Sequence, residues 1–201
     1  MASVVRSLGR LKVEGTVLLV CDIQERFRDV IHGFDSLVGT TKFLVQAAAE
    51  LGIPVVVTEQ YPKAFKATVA EVSSLLPDSA RTFEKTVFSM CTPEFRAHLG
   101  ALGCTSAIVC GLETHVCVLQ TTLDLLEGGV DVHVCADAVS SQREFDRSAA
   151  LARLGRVAHV STAESLVFQL LGDSRHPSFK ALAPAVKAHA DHAATSALQR
   201  F

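Results

Sequence analysis

Six short β-rich runs alternate with helix-like stretches along this chain, and that alternation leaves few folds open. The runs are Thr16–Cys21, Ile53–Thr58, Ala80–Phe83, Ser106–Gly111, Val130–Cys135 and the more weakly patterned Val157–Ser161. Between them a helical period of apolar residues covers Leu37–Leu51, Thr92–Leu102, Thr114–Glu127, Phe145–Leu154 and Ala163–Leu171. Turn residues fall at the joints: Gly52 and Pro54, Gly103, and Gly128-Gly129. A strand that is near-continuously apolar must be covered on both faces, which is the habit of parallel sheets. Such strands separated by helices predict an α/β fold. The expected architecture is a three-layer α-β-α doubly wound domain of Rossmann-like type, with a mainly parallel six-stranded sheet. The reading treats 1–201 as a single domain with its core at about 16–180, followed by a C-terminal helix or tail over 181–201.

Composition removes several classes of function. The chain has 201 residues and a formal net charge of −2, with Lys and Arg scattered rather than striped. No basic track for a phosphate backbone is present, and no nucleic-acid partner is expected. No apolar run reaches the ~18 residues that a membrane helix needs, so no membrane partner is expected either. The six cysteines form no Cys-x-x-Cys pair, and Cys21, Cys110 and Cys135 lie inside strand-like runs. Free thiols in a reducing compartment follow. Residues 1–13 carry Arg6, Arg10 and Lys12 with no acid, a faint likeness to a mitochondrial presequence, but a strand begins at Thr16. The expected location is cytoplasmic, with the mitochondrion as the alternative.

Doubly wound sheets bind ligands outside the carboxyl ends of their strands. The residues there are Asp22-Ile-Gln24, Glu59-Gln60-Tyr61-Pro62, Glu84-Lys85 and Glu113-Thr-His-Val-Cys117. Cys117 falls in the first turn of the predicted helix, where free N–H groups and the helix dipole favour a thiolate. Asp22 follows the apolar run Val17–Cys21 and reads as a partly desolvated base able to take the thiol proton. Lys85 would offset the repulsion of thiolate and carboxylate, and backbone N–H groups of the Gly111–Cys117 turn would receive an oxyanion. The implied reaction is attack on a carbonyl carbon, a covalent intermediate, and hydrolysis. Singly, each residue has a plainer reading: Asp22 as a helix N-cap, Lys85 as a solvated lysine, Cys117 as a small core residue.

Three ordered segments add a resemblance. They are Val20-Cys-Asp22-Ile-Gln24-Glu-Arg-Phe27, Phe83-Glu-Lys85-Thr-Val-Phe88-Ser and Cys110-Gly111-Leu-Glu-Thr114-His-Val-Cys117-Val118. Together they resemble the isochorismatase-like cysteine hydrolases, a superfamily that includes nicotinamidases and carbamoylsarcosine amidohydrolases. The likeness is nearest to the eukaryotic isochorismatase domain-containing group. That group shares Thr58-Glu-Gln-Tyr-Pro62, Phe88-Ser89-Met90, Thr121-Thr-Leu-Asp-Leu125, Gly172-Asp173, His176-Pro177 and Phe179-Lys180. The resemblance implies the isochorismatase-like hydrolase fold, with Cys117 as nucleophile, Asp22 as proton acceptor and Lys85 as the charge-stabilising third member. It also implies a cis peptide between Leu112 and Glu113 that turns the N–H groups of Glu113 and Cys117 toward one oxyanion. Gln24 and Phe27 would line the substrate pocket, with Glu59, Gln60, Tyr61, Phe88 and Thr114 as further candidates. Thr114 would also cap the helix and Thr121 face inward.

Two departures bear on the substrate. Nicotinamidases place metal-binding histidines after the second strand, whereas here that stretch reads Thr58-Glu59-Gln60-Tyr61-Pro62. No metal and no cofactor are therefore expected, and nicotinamide is disfavoured. Isochorismatases proper lack a cysteine at the nucleophile position, so Cys117 points to an amide or carbamoyl-type bond of a small molecule. His189 and His192 stand at helical spacing and read as solvated side chains or a weak metal pair, and His115 as a residue bordering the pocket. A homo-oligomer, dimer or tetramer, is expected from the likeness. The competing readings are an idle binding protein on the same scaffold and a nucleotide-binding or nuclease domain. The last lacks a Gly-x-Gly-x-x-Gly after the first strand and a P-loop.

Overall fold

The structure is a computed structural model and describes residues 8–198, so Met1–Ser7 of the presequence-like arm lie outside the described residues. The strands are β1 (Thr16–Cys21), β2 (Val55–Gln60), β3 (Arg81–Lys85), β4 (Ser106–Leu112), β5 (Asp131–Ser140) and β6 (His159–Ser161). The helices are α1 (Phe34–Leu51), the one-turn α2 (Pro62–Phe65) and α3 (Ala70–Ser73), and α4 (Pro93–Ala101). They continue with α5 (Leu119–Glu127), α6 (Glu144–Leu154), α7 (Ala163–Leu171) and α8 (Pro177–Ala193). A 3₁₀ turn covers Glu25–Phe27, and a π-helical turn, Thr114–Val118, leads into α5.

All six strands are parallel, in the order β3-β2-β1-β4-β5-β6. The chain builds outward from β1 in one direction and, from β4, in the other. The connections therefore diverge between β1 and β4, which is where such sheets open a crevice. Every residue of β1 is buried, because alternate side chains enter different cores. Leu18 and Val20 pack under α1, α7 and α8, whereas Val17, Leu19 and Cys21 pack under α4, α5 and α6. Burying each such side chain contributes about 1.5–3 kcal/mol.

Local chemistry sets the helix ends. α1 presents Phe34, Leu37, Val38, Thr41, Leu44, Val45 and Ala48 as one buried stripe. It stops at Gly52, whose left-handed backbone (φ 69°) lets Ile53 N–H bond Ala48 O at 2.8 Å. Thr92 caps α4 by accepting from Phe95 N–H at 3.3 Å, with Pro93 at the first helical position.

Two segments differ most from the sequence reading. β5 runs to Ser140 rather than ending at Cys135, because it pairs with β4 twice. Ser106–Val109 pair with Asp131–Val134, and then Gly111 and Leu112 pair with Val139 and Ser140, so residues 135–138 bulge out between. The buried Arg147 guanidinium holds the bulge by donating to Val139 O (3.0 Å) and Ala136 O. The other difference is at the C-terminus, where residues 177–193 form α8, docked on α1. Its histidines are not solvated: His189 is buried and stacks on Phe43 at 4.3 Å, and His192 Nε2 meets Ser36 O at 2.9 Å. Gly39 permits the contact, since a Cβ there would lie 2.2 Å from His192 Nε2. Among the described residues no helix is long and apolar enough to cross a membrane.

Candidate active site

The site lies at the divergence of β1 and β4. Asp22, directly after β1, has φ +52°, a left-handed conformation that aspartate adopts more readily than most residues. Its backbone N–H bonds Thr58 O at 3.1 Å and its Oδ1 accepts from Thr58 Oγ1 at 2.8 Å, so β2 fixes the carboxylate. The second oxygen, Oδ2, is 2.6 Å from Lys85 Nζ, and both side chains are almost wholly shielded, at 2% and 0% exposure.

Lys85 is the last residue of β3 and pairs in register with Gln60. Besides Asp22, its ammonium donates to Gln60 Oε1 at 2.7 Å and Phe88 O at 2.9 Å, with Val87 O at 3.3 Å. An ammonium has three protons, and three close acceptors use them. Burial opposes its charge most strongly, yet Cys21, Asp22 and Cys117 together outweigh that effect and raise the Lys85 pKa. The loop after β3 is held in turn by Met90 N–H donating to the buried Thr121 Oγ1 at 2.9 Å.

Cys117 sits in the π-helical turn, 8% exposed, and shares a cavity with Asp22. π-turns are rare and concentrate at functional positions. The peptide bond between Leu112 and Glu113, just before the turn, is cis. Gly111 makes the approach of β1 and β4 feasible: its φ is +115°, and a Cβ there would lie 2.0 Å from Cys21 O. Cys21 itself packs in the same core cluster as Cys117 and places its thiol 3.5 Å from Asp22 Oδ2. Burial, then a hydrogen bond with Cys117 and the charge of Asp22, push the Cys21 thiol well above the ordinary range.

The cavity has a volume of about 270 Å³. Phe27, Phe65, Phe88, Leu112 and Val116 form its apolar walls, and Gln60, Glu113 and Gln142 its polar edge. Of the expected pocket residues, Phe27, Gln60 and Phe88 are there, and Gln24, Glu59, Tyr61 and Thr114 are not among the lining. Gln24 is fully buried and clamps the end of β2, bonding Gln60 N–H (2.8 Å), Gln60 O (3.0 Å) and Lys66 O (2.6 Å). Glu59 Oε1 anchors the following loop through Thr68 N–H at 2.6 Å and Thr68 Oγ1 at 2.8 Å. Tyr61 is half exposed and faces a neighbouring depression with Pro62 and Thr86. Thr114 is buried, its hydroxyl without a hydrogen-bond partner. His115 is outside the lining as well, held by Ser141 Oγ at 2.9 Å.

The sequence reading misses Phe65, Val116 and Gln142. Phe65 comes from one-turn α2 and stacks on Phe27 at 4.9 Å, and Gln142 follows the unforeseen extension of β5. Both follow strand carboxyl ends, the one signal that could have found them. Among the described residues no group of three His, Cys, Asp or Glu side chains could hold a metal ion.

Comparison with known proteins identifies the family. The model of the isochorismatase domain matches residues 16–165. Isochorismatase family protein 1B of Dictyostelium discoideum is 42% identical over 192 residues, which cover 93% of each chain. Isochorismatase domain-containing protein 2 of Xenopus laevis is 43% identical over 180 residues, covering 89% of this chain and 86% of that one. Among solved structures, one titled MAR1 ribonuclease from Caenorhabditis elegans superposes with a TM-score of 0.86 at 41% identity. It covers 89% of this chain and 92% of its own. The matched domain contains Asp22, Lys85 and Cys117, and this chain belongs to the isochorismatase family of α/β hydrolases.

Proposed function

We propose that this chain is a cysteine hydrolase that cleaves an amide or carbamoyl-type C–N bond of a small molecule without a metal. The observation that carries the reading is the meeting, at one cavity, of Cys117 and of an Asp22 carboxylate ion-paired to Lys85 at 2.6 Å. In the first step Asp22 takes the thiol proton, Cys117 Sγ bonds to the carbonyl carbon, and the oxygen becomes an oxyanion. Backbone N–H groups of Glu113 and Cys117 receive that charge, which in a desolvated site is a large source of rate. The intermediate then breaks its C–N bond, Asp22 returns the proton to the departing amine, and a thioester remains. Water, losing a proton to Asp22, attacks that thioester, the C–S bond breaks, Asp22 gives the proton back to Cys117 Sγ, and the acid product departs. Lys85 keeps Asp22 and the thiolate from repelling one another throughout.

A second reading comes from the ribonuclease title of the 41% identical structure. RNA binding calls for cations along a backbone track. Here the cavity's charged lining is Asp22, already paired with Lys85, and Glu113. The amide reading is therefore favoured. Exposed Phe88, which lines the cavity, and its neighbour Val87 support a homo-oligomer.

The test is alkylation by iodoacetamide, followed by mass mapping. Burial raises the other five thiols, with Cys104 at about 11 and Cys110 at about 12. Brief treatment near pH 7 should give one adduct, on Cys117, at a rate that persists well below a free-thiol pKa of ~8.5. Slow labelling that Asp22→Asn leaves unchanged would sink the proposal, as would RNA cleavage that survives Cys117→Ser.

A further inference from the structure

Given the cysteine-hydrolase reading above, the charges around Cys117 decide which compounds can reach it. The cavity holds two carboxylates, and only one is balanced. Asp22 is neutralised by Lys85, whose three protons go to Asp22 Oδ2, Gln60 Oε1 and Phe88 O. That ammonium has no proton left for a substrate anion. Glu113 has no comparable partner. Its side chain is 17% exposed, its Oε1 accepts from Gln142 N–H at 3.3 Å, and its Oε2 lies 3.9 Å from His115 Nε2. His115 is equally close to Asp146 Oδ2, at 3.9 Å, and Asp146 is bonded by the exposed Arg143 at 2.6 Å. The wall beside the nucleophile is thus acidic, and the one hydrogen bond from Gln142 N–H, with His115 alongside, holds the carboxylate in place.

The rest of the lining is apolar. Phe27 and Phe65 stack with ring centres 4.9 Å apart, and Phe88, Leu112 and Val116 complete the surface. At about 270 Å³ the cavity is smaller than the roughly 300–1,000 Å³ typical of drug-sized ligands. We propose that the site takes small neutral carboxamides or carbamates with an apolar acyl group, and that Glu113 is the specificity residue that turns away carboxylate-bearing compounds. A second carboxylate brought within a few ångströms of Glu113, in a cavity that excludes much of the water, loses a factor of about ten or more in occupancy.

Iodoacetamide and iodoacetate share a skeleton and a leaving group and differ in charge, so they isolate the effect. In each case Cys117 Sγ forms a bond to the CH₂ carbon, the C–I bond breaks, iodide leaves, and mass mapping identifies the adduct. The rate ratio of iodoacetamide to iodoacetate at Cys117 should exceed the ratio for 2-mercaptoethanol by about tenfold or more. Glu113→Gln should cut that excess at least several-fold, and Gln142→Lys, which brings a cation to the rim, should do the same. The ratio is taken within each variant, so a general loss of reactivity does not move it. Iodoacetate labelling Cys117 as fast as iodoacetamide overturns the substrate class. An excess that neither substitution changes overturns the role of Glu113. If neither reagent prefers Cys117 over the other cysteines, the nucleophile assignment itself has failed, and that outcome differs from the other two.

Discussion

Replacing Lys85 by methionine is the sharpest test of how the site is held together. Lys85→Met keeps the unbranched apolar stem of the side chain and removes the ammonium. Asp22 then stays buried with Thr58 Oγ1 at 2.8 Å and the Cys21 thiol at 3.5 Å as its remaining partners, having lost the 2.6 Å contact. Gln60 Oε1 and Phe88 O lose a donor as well. Removing one partner of a buried ion pair costs about 3–5 kcal/mol, chiefly because the other charge is left uncompensated. For a chain of this size that is a drop of roughly 6–20 °C in Tm. Lys85→Met combined with Asp22→Asn removes both charges, keeps the Thr58 contact, and should restore more than half of the loss. Urea melts at one fixed protein concentration measure both effects. The Lys85 pKa is raised on folding, so its contribution is fully present below the unfolded lysine value of ~10.4 and is lost as pH rises through the higher folded value. The difference between wild type and Lys85→Met should therefore be constant between pH 7 and 9. A Lys85→Met protein within about 1 kcal/mol of wild type would refute the reasoning, as would a double variant whose loss is simply the sum of the two single losses.

Two further predictions concern the scaffold. Gly111→Ala puts a Cβ 2.0 Å from the Cys21 carbonyl oxygen at φ +115°, so it should cost on the order of 3 kcal/mol or more and displace Asp22, measured as lost stability with lost Cys117 alkylation. A Gly111→Ala protein of wild-type stability would show that β1 and β4 do not approach as described. His133 is buried against His159 at 4.9 Å, and burial, with the His159 charge, lowers its pKa to about 4. A depressed histidine leaves the unfolded state binding more protons, so stability is fully present above ~6.5 and is lost as pH falls toward the folded value. This residue should account for about 2 kcal/mol of lost stability between pH 7 and pH 5, a loss that His133→Phe removes. Parallel pH curves for the two proteins would contradict it.

The sequence was most legible where local pattern and strand ends coincide. β1 and α7 have the bounds read from the sequence, and Asp22 and Cys117 follow the apolar strands β1 and β4, while Lys85 closes the more polar β3. It was least legible where long-range contacts override local signal. Ala136 and Asp137 interrupt the apolar run of β5, and pairing with Gly111 and Leu112 resumes the strand beyond them. Gln24 and Glu59 read as pocket residues because of their position after strands, but both turn away to bond backbone groups of neighbouring loops. Backbone hydrogen-bond demand in a buried loop is a tertiary quantity, and no spacing rule reports it.

What the sequence determined by itself is the alternating order of strands and helices, the two-sided burial of the central strands β1, β2, β4 and β5, and the presence of an acid, a lysine and a cysteine at three strand ends. Those follow from periodicity and side-chain chemistry, which are local. Only the tertiary structure decided that Lys85 spends all its protons inside the protein and that α8 closes over α1 with buried histidines. It also decided that Glu113 stands as the uncompensated charge on an aromatic-walled cavity. The physical reason is the same in each case: the value of a charge depends on which partners and how much water surround it, and distant segments supply both.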